Sequence, residues 1–150
     1  MKTKYPQQDP TNIYDYVDQF KKSKFQWNEF DCTTFAVGWI DKRCGTNYIE
    51  ELIKGRYECE STARAYAVET GPEWYYLEPN VPTTKVIDGF QKEGDLLCYS
   101  YECWNCMALV LSPSRVAVVT EKGLHIVKPE HIRGKQKYIR INQEATWQQK

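Results

Sequence analysis

The chain has 150 residues, 41% hydrophobic and 27% charged, which is enough apolar material for one packed core and too much for a disordered chain. Twenty Lys and Arg offset twenty Asp and Glu, which removes the electrostatic case for a nucleic-acid or anionic-membrane binder. No apolar run approaches the roughly 20 residues of a bilayer span.

The amino terminus, Met1 to Asn12, carries two lysines with no apolar segment behind them, so no export signal is visible. The six cysteines are therefore expected to be reduced thiols in a cytosol. Asp9-Pro10 reads as a helix entry, and Ile13, Tyr16, Val17 and Phe20 recur at helical spacing behind it. Asp31 then stands at an N-cap position. Cys32, Phe35, Ala36, Trp39 and Ile40 follow at i, i+3, i+4, i+7 and i+8, the apolar stripe of a core-facing helix. A short helix from Asn47 to Lys54 would carry Ile49, Leu52 and Ile53 inward, and Ser61 would cap another through Thr70. Pro72, Pro79 and Pro82 predict a long irregular connection over 72–92.

After Gly94-Asp95 the period changes. Leu96–Tyr101, Met107–Leu111, Val116–Thr120 and Leu124–Val127 are short apolar or β-branched runs, and Tyr138–Ile141 offers one more. Helices first and strands afterwards predict one α+β domain over 1–150, with N-terminal helices packed on a mainly antiparallel sheet.

The chemistry concentrates on Cys32. In the first turn of a helix its thiol meets unpaired amide N–H groups and the positive end of the helix dipole, which favour a thiolate nucleophile. The same pattern suits a small hydrophobe filling a helix–sheet gap, so the local residues leave both readings open. Cys98, Cys103 and Cys106 have spacing that can converge on zinc or iron. No fourth cysteine follows, and His125 is the ligand that would complete such a site. Buried or unpaired thiols are the preferred reading, with no metal and no cofactor expected. Glu50-Glu51 and Glu58/Glu60 read as charged faces, Arg133 to Lys137 as a solvated basic turn, and His131 as solvated.

Trp27-Asn28-Glu29-Phe30-Asp31-Cys32, with its apolar helix, resembles the W-G-x-x-D-C segment of NlpC-type cell-wall peptidases, and Gly94-Asp95-Leu96-Leu97 resembles their G-D-L-V turn. The chain resembles still more closely a family of small phage proteins built on that fold, which share the D-C helix, a G-R-Y element (Gly55-Arg56-Tyr57), the G-D strand and a G-L strand (Gly123-Leu124). The likeness runs from about Phe25 to about Ile141, with the order of elements kept. The resemblance implies a papain-like fold with Cys32 as nucleophile, and Trp27, Asp31, Asp95 and Cys106 lining a substrate groove.

Two departures qualify that implication. The position of the peptidase histidine falls on Cys106, and a thiol cannot replace imidazole as a base near pH 7. Asn28 replaces the family's glycine. A base migrated to His125, with Cys32, is the alternative dyad. Three functions follow as expectations. The first is a catalytically reduced phage virion, tail or assembly protein. The second is an active peptidoglycan endopeptidase or amidase using Cys32 and His125, and the third a metal-binding accessory protein. Phage structural proteins or a peptidoglycan peptide are the expected partners. Synthesis in the host cytoplasm and association with the virion are the expected locations.

Overall fold

A computed structural model describes residues 12–70, 82–101 and 104–142. Among the described residues, three α-helices, α1 (Ile13–Asp18), α2 (Cys32–Cys44) and α3 (Glu60–Thr70), precede six strands, with a π-helical turn at Ile49–Ile53 between α2 and α3. The strands are β1 (Thr83–Val86), β2 (Leu96–Tyr101), β3 (Trp104–Ser112), β4 (Arg115–Thr120), β5 (Gly123–Val127) and β6 (Lys135–Ile141). They form one sheet in the order β1-β6-β2-β3-β4-β5, and every pairing is antiparallel. The fold is α+β. No helix among the described residues is long and apolar enough to cross a membrane.

Alternation along the strands separates two buried faces. One face presents Leu96, Cys98, Met107, Leu109, Ala117 and Val119 to the helices, where Phe35, Ala36, Trp39 and Ile40 of α2 complete the cluster. The other face buries Leu97, Ala108, Val110, Val116 and Tyr138, with Ile132 from the β5–β6 connection packed against them. The aromatic residues stitch the helices to one another. Tyr16 of α1 lies 5.3 Å from the Phe35 ring and 5.4 Å from Trp39, and its hydroxyl donates to the Phe35 carbonyl at 2.6 Å.

Several boundaries differ from the sequence expectation. Helix α1 begins at Ile13, with Asn12 as its cap accepting from the Asp15 amide at 2.9 Å; Asp9 and Pro10 lie outside the described residues. Helix α2 runs past Ile40 to Cys44 and stops at Gly45, whose φ of 65° is the left-handed turn that glycine allows. At α3 the residue before the helix is Cys59, not Ser61; Thr62 reaches back to accept from the Cys59 amide at 3.0 Å. The expected irregular connection over 72–92 contains β1, because Thr83-Thr84-Lys85-Val86 pairs with β6 from Thr83↔Ile141 to Val86↔Tyr138. A β-branched run beyond the last proline takes its partner from the far end of the chain. The basic stretch from Arg133 is a turn only as far as Gly134; Lys135 to Lys137 belong to β6.

Candidate functional site

The segment before α2 is built around one buried carboxylate. Gln26 and Phe30 pair across a tight turn, with the Phe30 amide donating to the Gln26 carbonyl at 2.8 Å. Within that turn Asn28 has φ 67°, the left-handed region where asparagine is tolerated nearly as well as glycine. Asparagine therefore holds the left-handed backbone here. It also adds bonds: Asn28 Nδ2 donates to the Ile53 carbonyl and its Oδ1 accepts from the Gly55 amide, each at 2.9 Å.

Asp31 is 2% exposed and caps α2. Its Oδ1 accepts from the Thr34 amide at 2.8 Å, and Thr34 Oγ1 accepts from the Asp31 amide at 2.9 Å, a reciprocal capping box. Oδ2 accepts from the Asn28 amide at 2.9 Å and from the Tyr57 hydroxyl at 2.7 Å. Tyr57 belongs to the Gly55-Arg56-Tyr57 element, so two sequence motifs some 25 residues apart meet on one carboxylate. The Trp27 ring, half-buried, stands edge-on to Phe25 at 4.9 Å and to Tyr57 at 6.4 Å.

Cys32 opens α2 directly after this cap, and its side chain is half-buried. The β3–β4 pairs run from Leu109↔Ala117 to Ser112↔Arg115. Closer to the start of β3, Cys106 and Met107 are the residues that act on the Cys32 thiol. The bond to Cys106, then burial, then the neighbouring Asp31 charge hold the Cys32 thiol well above its ordinary range; the Met107 amide opposes them only in part. The helix start therefore does not produce a thiolate here. With its thiol raised in this way, Cys32 keeps its proton near neutral pH.

The other expected site residues lie elsewhere. Asp95, 1% exposed, holds Arg140 through two bonds of 2.9 Å and accepts from the Lys92 amide at 2.9 Å. Its carbonyl accepts from the Val110 amide, about 13 Å along β3 from Cys106. Asp95 thus fastens β2, β3 and β6 together and is not brought to Cys32. His125 is exposed on β5 opposite Val118, which belongs to the face turned away from α2. Cys98 is fully buried on the helix-facing side, whereas Cys106 packs with the opposite cluster; Cys103 lies outside the described residues. Among the described residues no three His, Cys, Asp or Glu side chains converge as a metal site would require.

Trp27, Asp31 and Cys32 thus lie together at the start of α2, and Cys106 acts on the Cys32 thiol. Asn28 and Tyr57, which composition and spacing did not single out as site residues, complete the assembly. Tyr57 was visible in the G-R-Y string, but only the tertiary contact gives it a role.

A model of one protein family matches residues 7–134. The chain belongs to the DUF6950 family. That family is described as a domain of unknown function. Its match embraces the capped α2, the G-R-Y element, and β1 to β5. No curated protein matches the chain.

Proposed function

We propose that this DUF6950 protein is a phage virion, tail or assembly component on an NlpC-type, papain-like scaffold whose peptidase chemistry is reduced, the surface beside Cys32 serving to bind. The observation that carries this reading is that the side chain acting most strongly on the Cys32 thiol is a second thiol, Cys106, and not an imidazole. A papain-type nucleophile is a thiolate held beside an imidazolium; here the neighbour raises the thiol instead of lowering it. General-base assistance contributes roughly 10²–10⁴-fold, so its absence leaves amide hydrolysis slow even where a peptide is held. The half-buried Trp27 ring offers a contact surface for such a peptide or for another virion protein.

Turnover of peptidoglycan stem peptides by purified wild type, Cys32→Ala and His125→Ala tests the reading. Near-background rates in all three are expected. Robust wild-type turnover that vanishes in both variants overturns it in favour of a working Cys32–His125 hydrolase.

A further inference from the structure

The two edges of the sheet are built differently. β1 is four residues long, follows Pro82 and carries Lys85, features with which sheets blunt an edge. β5, at the other edge, has none of them. Gly123-Leu124-His125-Ile126-Val127 holds no Asp, Glu, Lys, Arg or Pro, and its register with β4 runs without a bulge from Val116↔Val127 to Thr120↔Gly123. An edge strand of this kind turns the N–H and C=O groups of alternate residues outward, a ready template for another strand. Leu124 and Ile126 lie on the same side as Ala117 and Val119, with Leu124 half-buried against the core and Ile126 42% exposed.

Charge frames that edge. Lys122 and Lys128 are exposed and are the first charges beyond either end of β5, with Glu121 and Glu130 further out. Among the described residues neither lysine has an ion-pair partner. A Cβ at Gly123 would stand 3.6 Å from the Ser23 carbonyl, so the loop after α1 brings the exposed Lys22 and Lys24 to the same end as Lys122. A second copy of the chain fits such an edge badly. Two β5 strands paired antiparallel about His125 would set Lys122 of each copy against Lys128 of the other, and like charges directly opposite are unfavourable. An uncharged strand with a carboxylate at each end has no such conflict.

We propose that the open edge of β5 is a docking site for an extended segment of a partner protein, which pairs antiparallel with β5, lays apolar side chains beside Leu124 and Ile126, and sets a carboxylate against Lys128 and another against Lys122. Main-chain hydrogen bonds supply the affinity of such strand addition, and the flanking lysines select the charge of the partner. The inference rests on β5 and its flanks, and stands whether or not the surface beside Cys32 binds a peptide.

The experiment titrates the ¹⁵N-labelled full chain with the blocked peptide Asp-Thr-Val-Thr-Val-Thr-Asp and, separately, with the same peptide carrying lysine at both ends. Its apolar and acidic positions match the spacing from Lys122 through Leu124 and Ile126 to Lys128. At millimolar peptide, the acidic-ended probe should shift the amide signals from Thr120 to Lys128 and slow hydrogen exchange at alternate residues of β5, leaving β1 unchanged. The lysine-ended probe should bind about tenfold more weakly, and raised salt should narrow that difference. In the double variant Lys122→Glu, Lys128→Glu the preference should invert; both positions are exposed, so the fold is kept. Equal affinity of the two probes for the wild type overturns the proposal, as do shifts centred on β1 or on Cys32, or no shifts at all. Concentration-dependent dimerisation through β5 without peptide overturns it too, in favour of a second copy as the occupant.

Discussion

A cysteine at a helix start is commonly an activated one, and Cys32 is the opposite, because what faces it outweighs the helix dipole. The dipole and the Met107 amide act to lower its thiol, whereas the Cys106 sulfur and burial raise it, and the second pair prevails. Substituting Cys106 should reveal this balance. In a Cys59→Ser background, Cys106→Ala is expected to speed iodoacetamide alkylation of Cys32 at pH 7.5 by up to about tenfold, since each unit of lowered pKa multiplies the thiolate tenfold. Cys106→His should accelerate it further by placing an imidazole against the sulfur. Equal rates in all three proteins, measured by quenched mass spectrometry, would show that Cys106 does not govern the thiol.

Around that residue, α2 is positioned by the loop that precedes it more than by its own propensity, for Cys32, Thr33 and Thr34 are weak helix formers. Asp31 receives two donors, the Asn28 amide and the Tyr57 hydroxyl, besides completing the capping box, and Asn28 clasps the π-helical turn. Asp31→Ala is expected to cost about 2–4 kcal/mol, the sum of a lost cap and an unsatisfied Tyr57 hydroxyl. At Asn28 the ranking is the informative quantity. Asn28→Gly keeps the left-handed backbone and loses the two side-chain bonds, while Asn28→Ala adds strain of roughly 1 kcal/mol to the same loss. Urea midpoints should therefore fall in the order wild type, glycine, alanine. Alanine equal to or above glycine would mean that the turn is not held left-handed.

For the whole molecule, the buried thiols and phenols set how stability responds to alkali. Burial pushes Cys44 from 9.0 up to about 11, and it raises Tyr16 in the same direction, with Asp41 adding to the effect; Cys32 is raised by Cys106 and by burial. A group whose folded-state pKa is raised holds its proton more tightly in the native protein than in the unfolded chain. Its contribution is full below the unfolded value near 9 and is lost as the pH climbs through the folded value. Stability should accordingly hold from pH 7 to about 9 and decline toward 11, with a shallower decline in Cys44→Ala despite its lower starting point. Urea unfolding at fixed ionic strength across that range checks it; a curve flat to pH 11 would show these groups to be solvated in the native state.

Taken alone, the sequence determined the elements whose signal is local. The stripe from Cys32 to Ile40 is legible because helical periodicity is written in adjacent turns, and four strands after Gly94-Asp95 are legible because each is bounded by its own turn residues. The sequence could not show β1, whose four residues are a strand because β6 lies beside them, nor the role of Tyr57, whose partner is a carboxylate in another motif. Asp95 and His125 mark the same limit. Nothing local distinguishes a carboxylate saturated by Arg140 from one awaiting a ligand, and strand alternation puts His125 on one face without saying which face carries the helix. Those choices belong to the tertiary structure, because long-range pairing alone decides which side of the sheet α2 covers.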